Sequence, residues 1–358
     1  MSPVPLDHIY KILEAGAQAP SGSNSQPWKF KISGNQIEIL ALPERDHPIL
    51  NYRNRGTWVA HGALIENLLI AASHLGYKMD LELPPLNPLS RITAKLTLTE
   101  NREQRNGLYE AINLRTTNRK PYADSLLTKE QKNGLYEEAK KIGRGEFRLI
   151  EDKDKIRALA KASSMNEVIL LKDRAMHELF FKEIVWTEQE EKEKRTGLYL
   201  KTMELEPPQE KALKLFKNWE LMKFFNLFGA ARAIAKTNEK SYAASPAVGA
   251  IIINDTDDDF LTAGRIMERV WLKAANLGLS CHLMTGILFF WQRLKNGKDN
   301  TFSEKHQKLI TQAYTNIAHT LELDGSDKAI AILMRIGQGG QPTGLSSRFP
   351  IKQITEII

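Results

Sequence analysis

The stretch Ala19-Pro20-Ser21-Gly22-Ser23-Asn24-Ser25-Gln26-Pro27-Trp28 decides how the rest of the chain is read. It follows an apolar-periodic segment (Ile9, Ile12, Leu13, Ala17) and precedes Lys29-Phe30-Lys31-Ile32, which has the pattern of a strand. A helix therefore stops at Pro20, a small-residue loop follows, and regular structure resumes at Trp28. Small side chains and free backbone N–H groups let such a loop approach a flat or anionic ligand closely. A solvated turn has the same composition.

The 358 residues are enough for two domains or one large one with a sizeable core. With 42% hydrophobic and 26% charged residues the composition is that of an ordinary globular protein. The single cysteine, Cys281, excludes an intramolecular disulfide and fits a reducing compartment. Met-Ser-Pro-Val-Pro-Leu-Asp at the start lacks a basic region and an apolar core, so no export signal is expected and the expected location is the cytoplasm. No run reaches the roughly 18 apolar residues of a membrane span, and no membrane partner is expected. The net charge of +7 suits anionic small molecules. Basic residues are interleaved with acids, as in Glu190-Glu191-Lys192-Glu193-Lys194-Arg195, which describes a solvated surface and not a nucleic-acid groove.

Two apolar segments, Gly62–Gly76 and Gly264–Gly278, share Gly, Glu, Ala, Leu and Gly at matching positions 202 residues apart. Both read as buried helices whose last glycine is a C-cap. A second pairing sets Leu6–Ala15 beside Leu127–Ala139, with Asp7 and Thr128 as N-caps. The helix starts of this pair are only roughly 120 residues apart, so the later half carries roughly 80 additional residues. They fall on about 165–240, a helical insertion whose apolar face holds Trp219, Leu221, Phe224, Phe225, Leu227 and Phe228. The insertion either pads the core or lies over a ligand site.

Strands are expected at about 27–33, 36–41, 91–98, 147–151, 247–253 and 329–336. Val248–Ile253 is a continuous apolar run that suits a central strand, and the acidic cluster Asp255–Asp259 after it reads as a solvated loop. Strands scattered between long helices predict an α+β architecture without regular βαβ alternation.

A second constellation is Leu114-Arg115-Thr116-Thr117-Asn118-Arg119-Lys120-Pro121-Tyr122, after a short helical segment at Leu108–Ile112. Two arginines four apart, with Thr116 and Thr117 between them, can offer two guanidinium forks and two hydroxyls to one anion. The 19–28 string closely resembles the flavin-contacting loop of the nitroreductase family, A-P-S-S-x-N-x-Q-P-W. Arg115–Arg119 resembles the R-x-S-x-R/K element that opens that family, with Thr117 where Ser is usual. Members are usually homodimers whose flavin sites combine the arginine element of one subunit with the serine loop of the other. Here the loop lies in the first half and the arginines open the second. Only five residues precede Leu6, and Lys140-Lys141-Ile142-Gly143-Arg144-Gly145 stands where the loop would recur. The resemblance therefore implies the single-chain, tandem-copy (Acg-type) branch. It implies a truncated first copy at 1–104, a second copy at 105–358 with the insertion, an intramolecular pseudo-dimer, one site per chain, and a monomer as sufficient.

The same resemblance implies an FMN cofactor and its contacts. Pro20, Ser21, Gly22, Ser23, Asn24 and Gln26 would form the flavin loop. Arg115 would lie near the phosphate, Thr117 near the ribityl chain, and Arg119 beside N1 and O2, with Thr116 among the cofactor contacts. A cation within about 4–6 Å of N1 stabilises the charge of the reduced ring. Arg348, in Ser346-Ser347-Arg348-Phe349-Pro350, resembles the family's closing K/R-x-R element and would be a second phosphate ligand. Thr285 and Gly286 would present backbone N–H groups to N5 and O4, Thr285 replacing an acidic residue. Asn238 and Lys240 resemble an N-x-x-K segment at the pyrimidine edge, although the spacing to the next Ser is one residue short. The implied activity is hydride transfer from NAD(P)H to a nitro-aromatic, quinone or similar small-molecule acceptor, with no catalytic side chain. The alternative is a flavin-sequestering protein whose insertion closes the site; a flavin-free interaction protein is a third possibility. No G-x-G-x-x-G opens a βαβ unit, no hydrolase elbow occurs, and the eight histidines lack metal spacing. Cys281-His282, at the end of a buried helix, reads as packing and not ligation.

Overall fold

The computed structural model describes residues 3–86, 91–101, 106–295 and 301–358. Helix α1 (Leu6–Gly16) leads through the 19–27 loop into strands β1 (Trp28–Ser33) and β2 (Gln36–Ala41), followed by α2 (Arg55–His74), β3 (Tyr77–Glu82) and β4 (Ile92–Glu100). After the short α3 (Tyr109–Leu114) come α4 (Lys129–Lys140) and β5 (Glu146–Ile150). A long helical stretch follows: α5 (Lys153–Ser163), α6 (Met165–Lys172), α7 (Arg174–Glu183), β6 (Ile184–Val185), α8 (Glu188–Lys194) and β7 (Leu198–Tyr199). It continues through α9 (Pro207–Phe216), α10 (Trp219–Leu227) and α11 (Ala230–Ala243). The chain then runs β8 (Ala247–Asn254), α12 (Asp257–Asn276), β9 (Ser280–Leu283), α13 (Gly286–Leu294), α14 (Glu304–Thr320), β10 (Lys328–Gly337) and β11 (Thr355–Ile357).

The strands form an α+β fold with two main sheets, β11-β1-β2-β4-β3 and β5-β8-β10-β9. Apart from β11, which lies parallel to β1, all neighbours in these sheets are antiparallel. Omitting β11, both halves follow the order helix, strand, strand, long helix, strand, strand, with the same pairing order. Helices α5–α11 separate the first two strands of the second half, where β1 and β2 are joined by two residues. A further excursion, α13 and α14, separates β9 from β10 and has no counterpart in the sequence expectations.

Helices α2 and α12, twenty residues each, cross at the two matched glycines. A Cβ at Gly62 would overlap the Leu261 carbonyl oxygen, and one at Gly264 would overlap the Val59 carbonyl oxygen. Each glycine thus faces the residue three places before the other, so the crossing is reciprocal. Backbones in such contact leave no room for a side chain. Around the crossing, buried Glu66 pairs with Arg265 at 2.6 Å and Arg269 at 2.8 Å, and Arg269 reaches Glu138 of α4 at 2.7 Å. Buried charge is tolerated there because every member is paired.

Thr128 caps α4 in a capping box with Gln131, as its position predicts. Asp7 does not cap α1, which begins after Pro5, so Asp7 sits inside the first turn. The cluster at 255–259 is not a solvated loop. Thr256 caps α12, and the three aspartates fill its first turn, where the helix dipole favours them. Asp259 is buried and bonded by Arg144 at 2.6 Å. Cys281 and His282 lie on β9 and not at a helix end. Strands β3, β6, β7, β9 and β11 have no counterpart among the expected ones; apart from β3 they are two to four residues long, too short for periodicity to register. The boundary placed at 104/105 lies outside the described residues.

Candidate functional site

Gly16 ends α1 where a side chain would strike Leu68 of α2, so the 19–27 loop starts from a helix seated directly on the central pair. Within the loop Ser23, Asn24 and Gln26 have φ of +44°, +54° and +47°. Side-chain-bearing residues rarely adopt that region unless their surroundings impose it. The restraints come from distant segments. Asn24 Nδ2 donates to the carbonyls of Ser347 at 2.9 Å and Arg195 at 3.0 Å. Gln26 Nε2 donates to Arg195 O at 2.7 Å, and its Oε1 accepts from Phe349 N at 2.9 Å. Gly197 N donates to Ser23 O at 2.8 Å, and the Ser23 hydroxyl donates to Glu183. Ser21 Oγ accepts from Gln26 N at 2.9 Å, while Gly22 is exposed with open space where a side chain would stand. Pro20 is half-buried at the start of this turn.

Arg115 and Arg348 meet at the carbonyls that follow α1. Both donate to Gln18 O, at 2.8 and 3.1 Å; Arg348 also donates to Ala17 O at 3.0 Å and to Asn24 Oδ1 at 2.8 Å. Arg115 lies 3.3 Å from Glu268 of α12, with its guanidinium over the Trp271 ring at 4.7 Å. Burial, and then Arg115, lower the Arg348 pKa to about 9. Burial raises Glu268 to about 7 although Arg115 pulls it down. Two guanidinium groups thus share a poorly solvated corner with a carboxylate that is itself reluctant to ionise. This corner favours an added anion.

The rest of the arginine element runs along the edge strand. Thr117 bridges Cys281 of β9, and Asn118 N donates to Cys281 O at 2.9 Å. Thr116 is half-buried beside it. Arg119 donates to Thr202 O at 2.8 Å, from the turn Leu200–Met203, and burial lowers its pKa. Beneath it Arg335 of β10, fully buried, donates to the Asn118 and Lys120 carbonyls at 3.3 and 3.0 Å and to His282 Nδ1 at 3.2 Å. It also lies over the Tyr122 ring at 4.2 Å. An arginine inside the apolar run of β10 is the signal that could have marked Arg335 from sequence. The insertion residues Glu183, Arg195, Gly197 and Thr202, and Glu191, which accepts from Ser347 N at 2.5 Å, carry no such mark.

The remaining candidates belong to a neighbouring region. Asn238 of α11 donates to Glu167 at 2.8 Å, three residues before Ser241, which bonds Arg335. Lys240 is exposed on the same helix. Gly286 opens α13 against Asn166, whose amide occupies the space a Cβ would need; Thr285 precedes it, half-buried. Burial raises Glu167 from 4.5 to about 7. A carboxyl raised on folding contributes most below its unfolded pKa, and that contribution disappears as pH rises through the folded value. Glu167→Gln is therefore expected to flatten the fall in stability between about pH 4.5 and about pH 7, by on the order of 2–3 kcal/mol. Urea unfolding of both proteins across that range checks it; parallel curves would remove Glu167 as the cause.

Among the described residues no group of three or more His, Cys, Asp or Glu could hold a metal ion, and no helix is long and apolar enough to cross a membrane. Residues 1–47 match the model of the nitroreductase family. The chain is 23% identical over 299 residues to the "Uncharacterized protein MT1398" of Mycobacterium tuberculosis (strain CDC 1551 / Oshkosh), a match covering 80% of this chain and 40% of that protein. The chain thus spans well under half the length of this curated relative. Among solved structures, a BluB-like flavoprotein from Clostridium difficile 630 aligns with TM-score 0.38 and 11% identity, over 70% of this chain and 98% of that one. NADPH:FMN oxidoreductase from Vibrio harveyi aligns with TM-score 0.36 and 12% identity, over 69% and 75%. The family likeness covers α1, the strained loop and the first hairpin: over these 47 residues the chain is similar to the nitroreductase family.

Proposed function

We propose that the chain is an FMN-dependent oxidoreductase of the nitroreductase type, built from two fused copies at 1–104 and 105–358, with one cofactor site between them. The observation that carries this reading is the meeting of the Pro20–Gln26 loop, Arg115 and Arg348 around one cation-rich corner. The reciprocal glycine crossing and the repeated element order support the fused copies.

The residues present fit FMN. Arg115 and Arg348 would hold its phosphate, whose charge would offset the burial and, secondarily, the Arg115 repulsion that depress Arg348. Gly22 leaves the loop backbone open to close approach. Arg119 would set a positive charge near the pyrimidine end, with Arg335 holding its loop through the Asn118 and Lys120 carbonyls. Thr117, Thr285, Gly286, Asn238 and Lys240 remain candidates for the ring and ribityl contacts. When bound, FMN supplies hydride chemistry between NAD(P)H and a nitro-aromatic, quinone or similar small-molecule acceptor. The chain's own side chains bind, orient and tune charge, and none is assigned as acid or base. The protein is read as a cytoplasmic monomer, in keeping with its single cysteine and the intramolecular pairing of its halves.

Flavin sequestration is favoured by one specific observation. The 183–204 segment hydrogen-bonds the serine loop, Arg119 and the C-terminal tail, through Arg195, Gly197, Thr202 and Glu191. A segment tied at three points around the arginines and the loop would restrict access to a flavin held there. Anaerobic mixing of the FMN-loaded protein with NADPH and NADH separates the readings: prompt loss of flavin absorbance means a reductase, whereas reduction by dithionite alone means storage. A purified protein that binds no FMN would sink both. Arg119→Ala is expected to weaken FMN binding about ten- to hundredfold or to lower its reduction potential. Unchanged affinity and potential take Arg119 out of the site.

A further inference from the structure

The last turn of α10, where the chain bends into α11, carries an exposed apolar tip. Phe224 is 53% exposed, Phe228 78% and Leu227 79%, with Leu215 and Leu221 also exposed. The rings support one another edge to face: Phe224 meets Phe228 at 5.4 Å and Phe225 at 5.6 Å, and Phe225 meets Phe216 at 5.5 Å. The tip is therefore a preformed wedge and not a set of loose side chains. Its base is fixed. Asn218 caps α10, Met222 is fully buried, and Asn226 donates to Leu171 O at 2.7 Å while accepting from Ala231 N at 3.1 Å. Large apolar side chains clustered in this way mark a docking surface, whereas scattered ones do not.

The surrounding charge says what docks. From 211 to 236 the chain has six basic residues, Lys211, Lys214, Lys217, Lys223, Arg232 and Lys236, against the single acid Glu220. Lys214 and Lys236 are paired with Glu210 and Glu239 outside this window, at 2.6 and 2.7 Å. Lys211, Lys217, Lys223 and Arg232 are exposed. Lys172 has its pKa lowered by burial and by the nearby charges of Arg232 and Lys305, so the positive field extends past this stretch. Lysine is depleted from protein–protein interface cores, and two copies meeting on this face would bring like charges together. A bilayer of anionic lipid satisfies both parts. Lysines meet headgroups while Phe and Leu enter the acyl boundary.

We propose that the Phe224–Phe228 tip, with exposed Lys223 and Arg232 beside it in the chain and further exposed lysines along α9 and α10, docks this protein reversibly on an anionic membrane surface. Docking of this kind needs no spanning helix, and it revises the expectation of no membrane partner, which rested on the lack of a spanning run. It does not depend on the flavin reading. The test is flotation of the full chain with vesicles of phosphatidylcholine alone or with about 30% phosphatidylglycerol. The unaltered protein is expected to float with the anionic vesicles and to lose most of that binding between about 0.1 and about 0.5 M NaCl. The triple variant Phe224→Ser, Leu227→Ser, Phe228→Ser is expected to bind at least about tenfold more weakly, with an unchanged melting curve, because all three side chains are exposed. Leu126→Ser, an exposed apolar site elsewhere, should bind like the unaltered protein. Failure to float, equal binding to neutral vesicles, or equal binding by the triple variant overturns the proposal. A dimer that depends on the tip in gel filtration, without flotation, assigns the face to a second copy instead.

Discussion

Gly264→Val is expected to cost at least about 3 kcal/mol of folding free energy, because its side chain has nowhere to go but into the Val59 carbonyl. The two central helices would have to separate, and everything hung on them would follow. Arg115 reaches Glu268 and Trp271 on α12, whereas the loop it meets is seated through Gly16 on α2. Widening the crossing therefore also pulls the two halves of the candidate site apart, and FMN binding should fall with stability. Gly62→Ala and Gly264→Ala together should cost less than the sum of the singles, since a pair already separated by one methyl need not move as far for the second. Urea midpoints for Gly264→Val, the two single alanine variants and the double variant read this directly. A Gly264→Val protein with an unaltered midpoint would refute the close crossing.

Arg348→Ala is expected to lower FMN affinity by about a hundredfold or more and to destabilise the free protein by about 2–4 kcal/mol. Two separate roles are removed at once. Arg348 ties the C-terminal tail to the carbonyls after α1 and to Asn24, and it supplies half of the positive charge in the corner. Arg348→Lys keeps the charge but loses the fork, so it should recover part of the affinity and little of the anchoring. Fluorescence titration with FMN and urea unfolding, measured on both variants, separate the roles. Unchanged FMN affinity in Arg348→Ala would remove the phosphate assignment while leaving the tail contact intact.

Legibility followed the range of the interactions. Thr128 was readable as a cap because its partner Gln131 is three residues away. Strands β1, β2, β4, β5, β8 and β10 announced themselves through runs or alternation within a few residues. Asp7 and the cluster at 255–259 misled because composition identifies a residue suited to a helix start without saying which of two starts, or which side of one, it serves. Arg335 is marked in the sequence only by being a lone charge inside the apolar run of β10. Among the insertion residues nothing local distinguishes Arg195, whose contribution is a backbone carbonyl that any residue possesses.

Composition, spacing and short motifs by themselves determined the α+β class, the small-residue loop, the paired arginines and the two matched helices with a glycine in each. Those properties depend on φ/ψ preference and on periodicity, which act between neighbours in the chain. Only the tertiary structure decided that Asn24 would meet Arg348 from 324 residues away, that Arg115 would share Gln18 with it, and that the insertion would tie down the loop. That outcome rests on how closely α2 and α12 approach. The distance is set where two glycines remove the side chains that would otherwise hold the helices apart.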